Sequence, residues 1–414
     1  MQSVRDYATV TASYWVFTLT DGALRMLVLL FLHEQGYTPL SIASLFLFYE
    51  LFGVITNFVG GWLGARFGLK ATLFAGLSFQ IVACGMLTVD TSLLTLSYLL
   101  VAQGLSGVAK DLTKMSSKSY IKLVVPESDS RGLMKWVALL TGSKNTLKGV
   151  GFFLGGILLS SFGLQTSCLA MAAALVLVLI ASVILLPRAP GKSDTELSLG
   201  NLIPRDARIN WLSAARLFLF GSRDIWFVLA LPIFLASTLG WTHANVGAFL
   251  AVWIIGYGFV QAAAPSFVGQ RRGGIRSVAD AGALARWTAM LVLPLAAIGA
   301  ALHLELDPAT TLIIGLAVFG IVFAANSAIH SYLIIAYAEG DRVALRVGFY
   351  YMSNALGRLT GTLLSGWIFQ AAGQGQAGLV ACLGASILFV VLSTALCIPL
   401  RRAEQARLAA STPA

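Results

Sequence analysis

Residues 107–126, GVAKDLTKMSSKSYIKLVVP, and residues 135–156, KWVALLTGSKNTLKGVGFFLGG, decide how this chain is read. Both resemble membrane-spanning segments. Yet they carry Lys110, Asp111, Lys114, Lys144 and Lys148 well inside apolar runs. A lysine at the bilayer centre costs about 2.5–3.5 kcal/mol on insertion scales and is tolerated where it faces water or a partner. Four lysines on two consecutive segments therefore predict a hydrated, positively charged cavity within a membrane protein.

Composition supports the membrane assignment. The chain has 414 residues, 57% hydrophobic and 11% charged, with a mean hydropathy of +0.82. Soluble domains carry about 25% charged residues. A net charge of +10 could suggest nucleic acid, but basic residues of membrane proteins collect in cytoplasmic loops, and no nucleic-acid partner is expected. Cys84, Cys168, Cys382 and Cys397 are far apart in apolar runs without CxxC spacing, as buried small hydrophobes are. No metal site or cofactor is expected. The first apolar run is long, charged and without a small-residue cleavage site, so it reads as a retained helix rather than a signal peptide. There is no Walker A, zincin motif or nucleophile elbow, which argues against ATP-driven and hydrolytic chemistry and against an enzyme.

A spanning helix needs roughly 20 mostly apolar residues. The pattern predicts an all-α membrane protein of twelve transmembrane helices, at about 11–32, 40–65, 71–89, 93–115, 133–160, 165–186, 211–237, 243–268, 278–301, 309–337, 347–371 and 377–399. Turn residues separate them: Gly36 and Pro39, Gly68, Pro126, Gly163, Gly240, Gly273 and Gly274, Pro308, Gly340, Gly373 and Gly375. The longest hydrophilic stretch divides the chain into a first six-helix bundle (1–187), a cytoplasmic linker (188–210), a second six-helix bundle (211–400) and a tail (401–414). Even-numbered connections carry Arg66 and Lys70; Lys118, Lys122, Arg131 and Lys135; Arg188, Lys192, Arg205 and Arg208; Arg271, Arg272 and Arg276; Arg342 and Arg346. The tails add Arg5, Arg401, Arg402 and Arg407. Odd-numbered connections have no Lys or Arg but hold Glu34, Asp90, Glu305 and Asp307. Both termini are therefore expected in the cytoplasm. Phe31-Leu32 before Gly36-Tyr37-Thr38 is echoed by Phe234-Leu235 before Gly240-Trp241-Thr242, with Asp21 opposite Asp224 after a one-residue slip. Transporters built from two parallel six-helix repeats show such echoes.

Nine basic residues remain inside candidate helices: Arg25, Lys110, Lys114, Lys144, Lys148, Arg216, Arg223, Arg286 and Arg358. Asp21, Glu50, Asp111 and Asp224 stand against them. The surplus of positive charge calls for an anionic substrate. Lys110 and Lys114 are i,i+4, as are Lys144 and Lys148, with Asn145 beside them, and Asp21 and Arg25. Asn326 and His330 share one helix face; Tyr351, Asn354, Arg358 and Thr362 share another. Asp21 and Arg25 also suit a structural pair, and Asp111 can neutralise Lys110 or Lys114 locally. Arg216 is expected to snorkel to the cytoplasmic surface, and Arg286 to form a structural pair. Lys144, Lys148, Arg223 and Arg358 are expected as anion contacts. Asp21, Glu50, Asp111, Asp224 and His330 are candidates for carrying a coupling proton. Gly149, Gly151, Gly155 and Gly156 predict a close helix seam.

GWLGARFGLK (61–70) resembles the loop between the second and third helices of the major facilitator superfamily, through Gly61, Arg66, Gly68 and Lys70; Ala65 stands where that loop usually has an acidic residue. FTLTDGALRMLVLLFL (17–32), LFLFYELFG (45–53), residues 102–126, WVALLTGSKNTLKGVGFFLGG (136–156), LSAARLFLFGSRDIWFV (212–228) and GYGFVQA (256–262) resemble ArsJ-type organoarsenical efflux permeases. That resemblance implies export of 1-arseno-3-phosphoglycerate, the adduct formed when glyceraldehyde-3-phosphate dehydrogenase uses arsenate in place of phosphate. It implies a monomeric permease in the lipid bilayer of the bacterial inner membrane, with a functional link to that dehydrogenase. An arsenate at one end and a phosphate at the other call for two cationic subsites, with Arg bidentate and Lys a point charge. Arg25, Lys110, Lys114, Lys144, Asn145 and Lys148 are candidates in the first half, and Arg223, Asn354 and Arg358 in the second. A permease for another organic anion such as a sugar phosphate is the alternative, and a non-transporting sensor or scaffold a third.

Overall fold

The computed structural model describes residues 2–35, 39–126, 128–186, 204–268, 270–272, 275–277, 279–338 and 343–411. The turns expected at Gly36, Gly273, Gly274 and Gly340, and linker residues 188–203, lie outside the described residues.

Twelve helical stretches cover most of what is described. They are α1 (Gln2–Glu34), α2 (Pro39–Phe67), α3 (Leu69–Met86), α4 (Leu96–Val124), α5 (130–162), α6 (164–185), α7 (Ala207–Thr238), α8 (His243–Ala263), α9 (Ala281–His303), α10 (Pro308–Tyr337), α11 (Val343–Ala371) and α12 (Gly375–Ser411). The run Ser130–Leu185 is broken only at Gly163, whose φ of 72° and ψ of 176° suit a residue without Cβ. Ser167 Oγ donates to Gly163 O at 2.6 Å and secures the corner. A two-stranded hairpin, β1 (Gln270–Arg272) and β2 (Ile275–Ser277), joins α8 to α9 with Arg271 opposite Arg276. Among the described residues, eight helices are long and apolar enough to cross a membrane by length and composition; α4, with its lysines, is not among them.

Several helices extend beyond their apolar runs for local reasons. Asp206 caps α7, accepting from Arg208 N at 2.9 Å and pairing with the Arg208 guanidinium at 2.7 Å, so the helix begins four residues before its apolar run. α4 continues to Val124, well beyond the expected end at 115. α12 reaches Ser411, and Glu404 ties that extension down. Its carboxylate accepts from Ala281 N at 3.0 Å and from Tyr337 OH at 2.6 Å, so one side chain holds the start of α9 and the end of α10. Outside the membrane, hydrogen bonds to the Ser92 side chain and backbone hold the Asp90 carboxyl below the usual carboxylate range, and Thr310 does the same for Asp307. Each carboxylate caps a helix start, where such bonds favour the charged form.

The chain forms two compact units, residues 1–203 with 338–352, and residues 204–337 with 353–414. In the first, α1 lies on α5 through glycine. A Cβ at Gly151 would stand 2.6 Å from Leu19 O, and one at Gly155 would meet Ala23 O. Gly22 faces Lys148 O from the other side. Gly156, also expected in this seam, meets only the tip of Leu30 at 3.9 Å. Ser13 and Ser182 hydroxyls pair at 2.8 Å between α1 and α6. Ser106 donates to Gln80 at 2.8 Å and Ser116 to Leu69 O at 2.6 Å between α4 and α3.

In the second unit α7 lies on α11, again through glycine. A Cβ at Gly361 would stand 2.6 Å from Gly221 O, and one at Gly357 would meet Leu217 O. Ser386 and Ser393 on α12 donate to Ser222 O and Ala215 O of α7 at 2.7 and 2.9 Å. Trp226, Phe319, Phe323, Trp253 and Tyr257 form an aromatic core, with Trp226 edge-on to Phe319 at 5.1 Å. The first helix of each unit thus meets the fifth at glycines. This repeats structurally what the paired Asp21 and Asp224 segments suggest in sequence.

Overpacking a tight seam costs about 1–3 kcal/mol. Gly151→Val is expected to lower the melting temperature of the purified protein by several degrees, read by fluorescence-monitored unfolding in detergent. An unchanged melting temperature would show that α1 and α5 do not depend on this contact.

Candidate functional site

Each unit gathers basic side chains around a buried carboxylate. In the first, α1 supplies Tyr14, Asp21 and Arg25 at helical spacing, and Arg25 Nε lies 3.8 Å from Asp21 Oδ1, both buried. α4 supplies Lys110, Asp111, Lys114 and Lys118. Asp111 is 1% exposed; one oxygen accepts from Lys114 Nζ at 2.5 Å and the other lies 3.9 Å from Lys110 Nζ. Glu50, also buried, and Arg25 lie within electrostatic range of Lys110. The two arms of the cluster are thus coupled: Asp21, Arg25, Glu50, Lys110, Asp111 and Lys114 come together as one charged group.

Lys118 belongs to this group, a correction to its placement in a cytoplasmic connection. It is 3% exposed, donates to Thr141 Oγ1 at 3.1 Å and makes a short hydrogen bond to Tyr351 OH. Tyr351, on the segment of α11 that belongs to this unit, offers its ring face to Lys114 at 4.5 Å and Lys118 at 4.9 Å. Cations over an aromatic face are favoured, more so when desolvated. The signal is present in the sequence, because Lys110, Lys114, Lys118 and Lys122 recur every four residues. Hydropathy ends the helix too early to show it. Lys144, Asn145 and Lys148 lie half-buried on α5, with Lys148 Nζ 5.8 Å from the Phe152 ring centre.

The second unit centres on Asp224, which is fully buried. Arg223 donates to its Oδ1 through Nε at 2.7 Å and its terminal nitrogen at 2.5 Å. Arg358, from α11, donates to Oδ2 through Nε at 3.1 Å. Arg223 also packs over Phe220, 4.9 Å from the ring centre. Arg216, expected at the surface, is 3% exposed instead. It donates to Asn354 Oδ1 at 2.9 Å and Ser327 Oγ at 3.2 Å, and lies over Phe220 at 3.8 Å. A guanidinium that can spread its donors over amide, hydroxyl and ring has no need to reach water. Asn354 thus sits beside Arg216, and His330, fully buried, lies within electrostatic range of the same arginine. Tyr257 approaches Ser327, Arg216 and Arg223. Asn326, on the His330 face of α10, donates to Thr288 Oγ1 at 2.7 Å.

The glycine-rich loop is anchored rather than open. Gly68 takes φ 90° between α2 and α3. Arg66 lies over Trp62 at 5.0 Å, and Lys70 donates to Leu186 O at 2.5 Å. Gly61 faces Gly348, where a Cβ would stand 3.0 Å from the Gly348 Cα. Among the described residues no three His, Cys, Asp or Glu side chains are grouped as a metal site. The four cysteines are buried and unbridged.

Long apolar helices carrying buried, paired charges define a multi-pass membrane protein. Residues 10–284 match the Major Facilitator Superfamily; the chain belongs to that superfamily, whose members are transporters and not enzymes. No curated protein sequence matches the chain. Among solved structures, it is similar in fold to a variant of the E. coli fucose:proton symporter (TM-score 0.71, 14% identity, 95% of this chain and 99% of that one). A bacterial homologue of the iron transporter ferroportin is similar too (0.71, 15%, 95% and 99%), as is the human organic anion transporter MFSD10 (0.66, 16%, 94% and 99%).

Removing one member of a buried ion pair is strongly destabilising, about 3–5 kcal/mol, because the partner is left uncompensated. Asp111→Asn is therefore expected to destabilise the protein, and adding Lys114→Gln to recover part of the loss. A double-mutant cycle on thermal unfolding checks this, and simple additivity would show that Lys114 does not depend on Asp111.

Proposed function

We propose that this transporter exports a small organic dianion, 1-arseno-3-phosphoglycerate, across the bacterial inner membrane by alternating access and so confers arsenate resistance. The observation that carries this reading is the surplus of cations around the buried carboxylates: Arg25, Lys110, Lys114 and Lys118 in one unit, Arg216, Arg223 and Arg358 in the other. Buried charges are retained where function uses them, and a phosphate or arsenate suits Arg forks and Lys point charges. The likeness to a human organic anion transporter and the sequence resemblance to organoarsenical permeases support the same class of cargo.

Substrate contact is assigned to Arg25, Lys110, Lys114, Lys144, Asn145, Lys148, Arg223, Asn354 and Arg358. Coupling is assigned to protons, with Asp21, Glu50, Asp111, Asp224 and His330 as carriers, and gating to Gly61, Arg66, Gly68 and Lys70. The chain works as a monomer of two six-helix bundles, 1–187 and 211–400, joined by 188–210. Both termini are cytoplasmic, and glyceraldehyde-3-phosphate dehydrogenase supplies the cargo. The likeness to fucose and xylose symporters favours a second reading, a permease for sugar phosphates.

Cells producing the dehydrogenase with this protein are expected to survive arsenate that kills cells with the dehydrogenase alone. Lys144→Ala, Lys148→Ala and Arg358→Ala should each abolish that protection while still reaching the membrane. Wild-type resistance in all three would sink the assignment of these side chains; uptake of sugar phosphates by vesicles, with no protection from arsenate, would establish the second reading. In everted vesicles, collapse of the proton gradient should stop transport; persistence would exclude proton coupling.

A further inference from the structure

Asp224 is more than a proton candidate. Its two oxygens are divided between two arginines on different helices, Oδ1 to Arg223 of α7 and Oδ2 to Arg358 of α11. The exposures are graded: the Asp224 side chain is 0% exposed, those of Arg223 and Arg358 are 15% and 24%. The accessible part of the triad therefore belongs to the two arginines, and the carboxylate is enclosed. The triad carries one net positive charge, two cations against one anion.

We propose that Asp224 is a built-in competitor for the substrate's anionic group, holding Arg223 and Arg358 in the empty state and taking them back when the anion leaves. This rests on the proposed transport of an organic anion and adds the device that lets the site release it. Two guanidinium groups without an internal anion would grip a phosphate or arsenate through charge-assisted, bidentate bonds. A transport site must bind well enough to load and weakly enough to unload. A carboxylate that holds Nε of both arginines and a terminal nitrogen of Arg223 sets that balance, because it offsets part of their charge and competes with the ligand for how the two guanidinium groups are oriented. The fully buried position of Asp224 fits this role: it cannot turn to water instead, so it returns to the arginines whenever the ligand departs.

The test uses purified full-length protein with 3-phosphoglycerate and inorganic phosphate as probes and glycerol as a neutral control. Asp224→Asn is expected to bind 3-phosphoglycerate at least about tenfold more tightly than wild type, and to turn over several-fold more slowly in proteoliposomes. Unchanged or weaker binding in that variant, with wild-type binding intact, overturns the competitor role and leaves anion transport standing. Absence of anion binding by wild type overturns both. Because Asp224→Asn removes the carboxylate that both arginines hold, a second comparison keeps the idea testable if it does not fold. Arg358→Gln should weaken binding at least about tenfold, and Asp224→Asn added to Arg358→Gln should restore it. A purely structural carboxylate would give no such recovery, and its absence overturns the proposal.

Discussion

A charge placed inside a bilayer must be neutralised or solvated, and this chain meets that constraint with a repeated arrangement. In each unit one carboxylate with almost no exposure is shared by two neighbouring cations. Asp111 lies between Lys110 and Lys114, and Asp224 between Arg223 and Arg358. The chemistry differs in a useful way. Both Asp111 partners come from the helix that carries it, so that group can assemble with α4 alone. Asp224 draws Arg358 from α11, so its group exists only when α7 and α11 are already packed. That packing depends on Gly357 and Gly361, where backbone approaches backbone too closely for a side chain, and on Gly221, where a Cβ would meet the Phe389 ring at 2.8 Å. The electrostatics of the second unit therefore depend on its glycine seam.

Ring faces and neutral donors do the rest of the accommodation. Lys114 and Lys118 share the Tyr351 ring, and Arg216 and Arg223 share Phe220. An aromatic quadrupole stabilises a cation without cancelling its charge. These side chains therefore keep their positive field inside an apolar surrounding, whereas a second carboxylate would extinguish it. Such a field suits a protein that handles anions.

Much of this is legible in the residues. Apolar run lengths, the turn at Gly163 and the lysines at four-residue intervals specify a helical membrane protein with charges inside it. The Asp21–Arg25 pair and the glycine seam of α5 can be read from i,i+4 and small-residue spacing. What hydropathy misses lies at helix ends, because a window that averages polarity stops where charges begin. Lys118 therefore falls outside the α4 it predicts, and the part of α12 from Arg401 to Ser411 passes for a tail. Arg216 escapes for a different reason. Its partners, Ser327 and Asn354, lie 111 and 138 positions away, and no local pattern announces them. The sharing of Asp224 by Arg223 and Arg358 is hidden in the same way: the first is its sequence neighbour, the second 134 positions on.

Glu404 bears on how the second unit is made during synthesis. The first amide of α9 finds its acceptor in a residue 123 positions later, and the Tyr337 hydroxyl finds the same carboxylate 67 positions on. When α9 and α10 leave the ribosome, neither group can yet make its native bond. α12 must emerge and fold beyond its apolar stretch before these two helix ends are fastened. The last turns of α12 thus act as a clasp, and these two helix ends reach their final hydrogen bonding only once α12 has been made.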